Sequence, residues 1–202
     1  MKRRTALSKA IAGAAIFGAL SFVISAFTAP YLPRMPGWGI AFIDPVSIIW
    51  IMCFLVFGLY TGLLCSAIGA LGLMFFDPFA PIGPLMKLTA TVPLMLVFYA
   101  GLRLKYQNPC GGELKKVKNY APLGVAGAAL RIVLMVVANI LLFMYILNIN
   151  YAKFSLGGFV LTSWSAVVFV AVLINAEQSV WDCVIPYLAV YSTKVYDRFR
   201  FW

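Results

Sequence analysis

The sequence contains no histidine and few acidic residues, six among 202. Histidine is the commonest transition-metal ligand in proteins and the usual general base in enzymes, so its absence argues against nickel or cobalt uptake and against most acid–base catalysis. The chain also has no Walker A sequence, no glycine-rich nucleotide loop and no nucleophile at a recognisable spacing from a base. We therefore predict a protein that is not an enzyme, binds no cofactor or metal, and does not power transport by itself.

Charged residues are scarce throughout the chain. They make up 11% of the residues, against 63% that are hydrophobic, and the mean hydropathy is +0.96. A soluble domain has roughly 25% charged and 45–50% apolar residues, so this composition predicts an integral membrane protein. Each helical crossing needs about 20 residues, so the chain can supply about six or seven spans and no separate soluble domain. The prediction is a single transmembrane domain over residues 1–202.

The four cysteines have no paired spacing, which argues against a zinc site or a disulfide framework and indicates reduced, buried thiols. The sixteen basic residues are grouped between apolar runs and form no stripe with interleaved aromatics, so nucleic acid is not an expected partner. A basic start followed by an apolar run is typical of a secretory signal peptide, but Phe27 occupies a position that needs a small residue for cleavage. We therefore expect the first span to be retained.

Apolar runs predict the positions of the membrane spans. The second and third are short and meet at a tight turn over residues 58–62, which requires an antiparallel hairpin. At about 14–15 residues each, these two spans are expected to be little tilted or to thin the bilayer locally. The first five candidate spans are 8–28, 46–59, 63–76, 85–102 and 121–147.

The end of the chain is ambiguous because residues 159–195 would form a single helix of about 55 Å. Asn175 followed by Gln178 has the form of a helix start, so we begin the last span at Asn175. Residues 159–174 then form an outer apolar segment, either re-entrant or lying over the bundle. The alternative is a crossing that starts at Phe159. The predicted fold is an all-α, six-span bundle with an outer re-entrant or lid-like segment before the last span.

Basic residues predict the orientation. With the amino terminus in the cytoplasm, only Arg34, Lys87 and Lys153 fall outside, and the positive-inside rule then requires an even number of crossings. We predict a multi-pass protein of the plasma membrane with both termini cytoplasmic. The inner basic residues are Lys2, Arg3, Arg4, Lys9, Arg103, Lys105, Lys115, Lys116, Lys118, Lys194, Arg198 and Arg200.

Polar groups inside a membrane are costly and therefore indicate a functional site. If those of this chain converge, they form an outward-opening pocket with both signs of charge, suited to a polar small molecule, zwitterionic or heteroaromatic. Two tryptophans could stack on such a ligand. The candidate substrate-binding residues are Lys87, Arg131, Asn139, Trp164, Asn175, Glu177, Gln178, Trp181 and Asp182.

Each candidate also has a structural interpretation. Arg131 can neutralise Glu177 or Asp182 as an internal ion pair. Asn139 can hold two helices together, Lys87 can extend to the lipid headgroups, and the tryptophans can serve as packing or interface residues.

Small residues recur every four positions along the first span, at Ala6, Ala10, Ala14 and Gly18. On a helix these positions lie one above another, and their small side chains allow a second helix to approach to backbone contact. The stripe predicts a docking surface for a partner helix.

The whole chain resembles the substrate-binding S component of energy-coupling factor (ECF) transporters. The features that carry the resemblance are the segment Ala10-Ile11-Ala12-Gly13-Ala14 after a basic start, a hairpin at residues 55–62, and a length of about six spans. Residues 84–87 and 175–178 are also similar in placement. The chain lacks the Pro-Phe-Asn and following Lys of riboflavin-type members, so riboflavin is not supported as the ligand.

The resemblance implies that Ala10 and Ala14 face a transmembrane coupling subunit, that two ATPase subunits supply energy, and that the S component topples in the bilayer. It also implies a vitamin ligand near the outer surface, beneath the first loop and among the last three spans. A high-affinity vitamin-uptake subunit is the leading hypothesis. The alternatives are a stand-alone proton-coupled secondary transporter using Arg131 with Glu177 or Asp182, and an intramembrane lipid-modifying enzyme using Lys87 and Asp77.

Overall fold

The computed structural model describes residues 2–28, 30–33, 41–146, 153–156, 159–199 and 201–202. The described residues form seven α-helices and a short antiparallel β-hairpin, in which Lys153 pairs with Thr162 and Leu156 with Phe159. In chain order the elements are α1 (Lys2–Thr28), α2 (Pro45–Phe57), α3 (Leu59–Leu73), α4 (Ile82–Lys105), a 3₁₀ turn (Gly111–Lys115), α5 (Val117–Leu141), a π-helical turn (Leu142–Ile146), β1 (Lys153–Leu156), β2 (Phe159–Thr162), α6 (Trp164–Tyr187), a second π-helical turn (Leu188–Ser192) and α7 (Val195–Phe199).

Four helical segments are long and apolar enough to cross a membrane, as expected of a membrane protein. The helices α2 and α3 are shorter, with 13 and 15 residues. At 1.5 Å per residue they are about 20 and 22 Å long, less than the ~30 Å hydrocarbon core of a bilayer. The four long segments are Leu7–Thr28, Ile82–Lys105, Val117–Ile146 and Trp164–Ser192.

The short helix α2 lies at the centre of the bundle. Apart from Ser47 its residues are apolar, and nearly all from Val46 to Val56 are buried, which is expected of a helix without a polar face. It packs against α1, α3, α4 and α6. Trp50 donates its indole N–H to the Ser21 hydroxyl on α1 at 2.9 Å, so the one polar atom of this large buried side chain has a partner.

A single residue, Gly58, separates α2 from α3. Its φ of 91° lies in the region that favours glycine, and a Cβ atom there would lie 3.1 Å from the Trp202 ring. The tight turn predicted at residues 58–62 therefore falls at Gly58, and α2 and α3 form the expected hairpin.

The two ends of the bundle differ in charge. At one end, which we call the basic end, Lys9 lies over the Phe201 ring, Lys115 pairs with Asp197, and Lys116 pairs with Glu113. The same end holds the carboxyl end of α4 with Arg103 and Lys105, the start of α5 with Lys118, and the segment with Lys194 and Arg198. Lys87 lies at the opposite end, in the first turns of α4. The other residues of the two predicted groups, Lys2, Arg3, Arg4, Arg34, Lys153 and Arg200, have side chains outside the described part of the chain.

The predicted start of the last span at Asn175 is wrong. The helix α6 begins at Trp164, where Ser163 caps it by accepting the Ala166 N–H, and it runs unbroken past Asn175. Asn175 instead donates its side-chain N–H to the Ala171 carbonyl in the middle of the helix. Polar residues can lie within this helix because α5 and α2 supply their partners. The predicted re-entrant or lid-like segment is therefore replaced by strand β2 and the first three turns of α6, closer to the alternative of a crossing that starts at Phe159.

The stripe of small residues on α1 packs partly within the chain itself. Ala14 is fully buried in the core, and a Cβ atom on Gly18 would lie 2.8 Å from the Ile68 side chain and 3.0 Å from the Cys65 carbonyl. Gly18 therefore contacts α3 and Ala14 lies within the core, so neither is exposed to a separate partner. Ala10 is half-buried, and the side chain of Ala6 lies outside the described residues.

Candidate functional site

A cavity of about 710 Å³ lies at the end of the bundle opposite the basic end. The last turns of α1, the start of α2, the connection between α3 and α4, and parts of α4, α5 and α6 form its wall. Apolar side chains such as Phe76, Met86 and Met135 make up much of this wall. The polar side chains on it are those of Ser25, Asp44, Asp77, Lys87, Thr91, Arg131, Asn139, Asn175 and Gln178.

Arg131 on α5 is the most connected residue of the wall, and it is 1% exposed. Its Nη1 contacts the Asp182 carboxylate, and its Nη2 donates to Gln178 Oε1 at 2.8 Å. Its Nε donates to Asn175 Oδ1 at 3.3 Å. The three acceptors are three, four and seven residues apart on α6, so they lie on one face of that helix. The fixed fork of a guanidinium suits such a row of acceptors.

Asp182 extends the network to α2. Its Oδ1 accepts the Ser47 hydroxyl at 2.6 Å, while Oδ2 contacts Arg131, and the side chain is 1% exposed. The side-chain amide of Gln178 donates to the Ala41 carbonyl at 2.6 Å, which attaches the segment before α2 to α6. The internal ion pair considered for Arg131 is therefore formed with Asp182.

A second ion pair lies nearer the start of α4. Lys87 Nζ is 2.6 Å from Asp44 Oδ2, and the two side chains are 25% and 10% exposed. The other carboxylate oxygen of Asp44 accepts the Val46 N–H at 3.1 Å, so Asp44 also caps α2. Lys87 is therefore directed to a carboxylate on the bundle rather than away from it.

Two buried polar atoms on the wall have no hydrogen-bond partner among the described residues: Thr91 Oγ1 and Asn139 Oδ1. The nitrogen of the Asn139 amide donates to the Met135 carbonyl at 2.7 Å, so only its oxygen is unused.

The structure brings five of the nine predicted binding residues onto the cavity wall: Lys87, Arg131, Asn139, Asn175 and Gln178. Asp182 lies behind Arg131. Trp164 packs against the cluster of Phe143 and Val167, and Trp181 and Glu177 bond to each other on the outward side of α6.

The sequence analysis did not select Asp44 or Ser47, which hold Lys87 and Asp182. A signal for Asp44 exists, because an aspartate followed by proline and an apolar run is a typical helix start. No local signal marks Ser47, since its partner Asp182 is 135 residues away.

No protein-family model matches the chain, and no curated protein or solved structure matches it. Among the described residues, no three histidine, cysteine, aspartate or glutamate side chains are grouped so that they could hold a metal ion. Function is therefore inferred from the cavity and from the charge difference between the two ends.

Proposed function

We propose that the chain is a high-affinity binding subunit for the uptake of a vitamin or a related small polar molecule. The cavity carries this proposal. Its volume of about 710 Å³ falls within the ~300–1,000 Å³ of small-molecule sites, and a mostly apolar wall with a few converging polar groups is typical of such sites.

In this proposal the chain crosses the plasma membrane six times, with the cavity on the outside and both termini in the cytoplasm. The basic end supports the orientation because lysine and arginine are retained on the cytoplasmic side. The α2–α3 turn lies at that end, against Trp202, so the hairpin runs from the cavity end to the basic end and back. Because α2 is enclosed by other helices, its short length need not match the bilayer.

Energy comes from partners in this proposal, since the sequence has no nucleotide-binding loop. The resemblance to ECF S components assigns this role to a transmembrane coupling subunit and two ATPase subunits. The stripe on α1 contributes to that contact through Ala10 and the turns before it, because Ala14 is buried in the core and Gly18 is covered by α3.

The first experiment is to purify the protein in detergent and identify any small molecule that comes with it by mass spectrometry, then to titrate that compound. We expect one tightly bound molecule per chain, without ATP or an ion gradient. Met135→Trp, which fills the cavity, should abolish retention. Val137→Trp on the exposed side of α5 should not, because Val137 is 50% exposed. Equal retention by both variants would contradict a site in this cavity.

The buried Arg131–Asp182 pair favours a second candidate, a stand-alone proton-coupled transporter. This candidate predicts uptake into liposomes by the purified chain alone, driven by a pH gradient and abolished by Asp182→Asn. A binding subunit that depends on partners predicts no such uptake.

A further inference from the structure

The charged groups of the cavity wall already have partners among the described residues. Lys87 pairs with Asp44 and Arg131 with Asp182, and Asp77 accepts the Phe79 N–H at 2.9 Å. The wall itself carries two cations and two carboxylates, and Asp182 lies behind it as the partner of Arg131. An anionic ligand would have to displace a carboxylate that is already bound, because neither cation of the wall is without a partner.

Unlike the charged groups of the wall, two of its uncharged polar groups are buried and unpaired. Thr91 and Asn139 are each 1% exposed, and the oxygens Thr91 Oγ1 and Asn139 Oδ1 bond to no described residue. A buried polar atom without a partner is destabilising, so such atoms in a cavity wall indicate where a ligand bonds. The Asn139 oxygen can only accept, so its partner must carry an N–H or O–H group.

These two positions lie at different depths. Gly127 on α5 lies against Leu94 on the antiparallel α4, so Thr91 lies close to the level of Arg131. Asn139 follows Arg131 by eight residues on the same face, which is about 12 Å along the helix. Between them the wall presents Met135 and Ala90, which are apolar.

We propose that the cavity binds an elongated molecule without net charge, with a donor group at Asn139, an apolar middle beside Met135 and a second polar group at Thr91. This inference rests on the proposed binding function and deepens it, because it assigns the ligand class and two residues that determine specificity.

The first test needs no ligand and uses Asn139→Leu and Thr91→Val in the full chain. Each variant removes an unpaired buried oxygen, so each should raise the melting temperature of the ligand-free protein in detergent by about 2–4 °C. The matched control is Thr89→Val, which should leave it unchanged because the Thr89 hydroxyl is exposed and bonds to the Leu85 carbonyl. A lower melting temperature for both Asn139→Leu and Thr91→Val would mean that the side chains serve packing, and would overturn the assignment.

The second test uses three probes with one skeleton: the primary amide, the carboxylic acid and the methyl ester of para-methoxyphenylbutyric acid. The ether oxygen of this skeleton can only accept a hydrogen bond, so the terminal group alone decides whether a probe can donate. The amide is neutral and carries an N–H donor, so it should bind about tenfold more tightly than the ester or the ionised acid. Asn139→Leu should remove that preference, and Thr89→Val should retain it.

The outcomes distinguish a failure of the proposed ligand class from a failure of the proposed binding function. An acid that binds as tightly as the amide, and is lost in Met135→Trp, would overturn the neutral ligand while leaving a binding subunit. If none of the three probes binds, the ligand class is overturned. If in addition no small molecule comes with the purified protein, the binding function fails with it.

Discussion

Each nitrogen group of the Arg131 guanidinium contacts a different side chain of α6. Such an arrangement stabilises a charge that would be costly in a membrane interior. It also makes Asp182 and Arg131 depend on each other, because both are almost completely buried. Ser47 and Gln178 belong to the same network, because Ser47 donates to Asp182 and Gln178 accepts from Arg131.

Removing one member of the Arg131–Asp182 pair should therefore destabilise the protein more than removing both. Arg131→Met or Asp182→Leu alone leaves an unpaired buried charge, and each should lower the free energy of unfolding by about 3–5 kcal/mol. The double variant leaves no charge and should recover most of the loss. Denaturation in mixed micelles measures the three values.

The control for this cycle is Lys116→Met, which removes an ion pair on the exposed surface and should change stability too little to measure. If the losses of the two single variants simply add in the double variant, the two side chains do not act as a pair.

At the scale of elements, α1 and α3 approach closely because small residues line their contact. The sequence predicted that α1 carries a docking face for a partner helix, but periodicity alone does not say whether the docked helix belongs to the same chain. The contact of Gly18 with Ile68 and Cys65 shows that α3 occupies this part of the face.

Gly18→Val should separate α1 from α3. The added side chain meets the Cys65 carbonyl, which belongs to the backbone and cannot rotate away, so we expect a loss of about 1–3 kcal/mol in stability. Ala15→Val, on the exposed side of the same helix, should have little effect. If the Gly18→Val protein is stable and fails only to assemble with a partner, Gly18 instead belongs to an intermolecular surface.

The helix α6 illustrates what local patterns miss. Asn175 and Gln178 match a capping pattern, yet they lie in the middle of a helix because Arg131 and the Ala41 carbonyl provide their hydrogen bonds. A pattern that scores only neighbours in the sequence cannot detect partners 44 and 137 residues away.

At the scale of the whole molecule, composition predicted a membrane protein because hydrophobicity is summed over all residues. Three of the four long helices match predicted spans in position, and the fourth begins eleven residues before the predicted start at Asn175. The tight turn was predictable from its glycines. The Asp44–Lys87 and Ser47–Asp182 contacts were not, because each depends on where separate helices meet. The β-hairpin was missed for a different reason, because a short apolar run such as the one from Phe159 does not by itself distinguish a strand from a helix.

The orientation can be tested with single cysteines in a background lacking the native four. In intact cells, an impermeant thiol reagent should label Phe79→Cys at the cavity end, where the side chain is 54% exposed. Leu104→Cys at the basic end, 91% exposed, should react only after permeabilisation. The reverse pattern would place the cavity in the cytoplasm.

Tyr60→Cys in the same assay distinguishes six spans from four. Its side chain is 84% exposed beside the α2–α3 turn, so a hairpin that reaches the cytoplasm should react only after permeabilisation. A cysteine here that stays unreactive in both conditions would mean that the hairpin ends within the bilayer.

The pairing of Arg131 with Asp182 has a consequence for biosynthesis. During translation α5 emerges before α6, so for 51 residues of synthesis Arg131 lacks its partner Asp182. An arginine at the centre of a helix disfavours insertion by about 2.5–3.5 kcal/mol, and α5 should therefore wait beside the translocon until α6 arrives. The two helices would then enter the lipid together, and the rate of translation would set how long α5 waits.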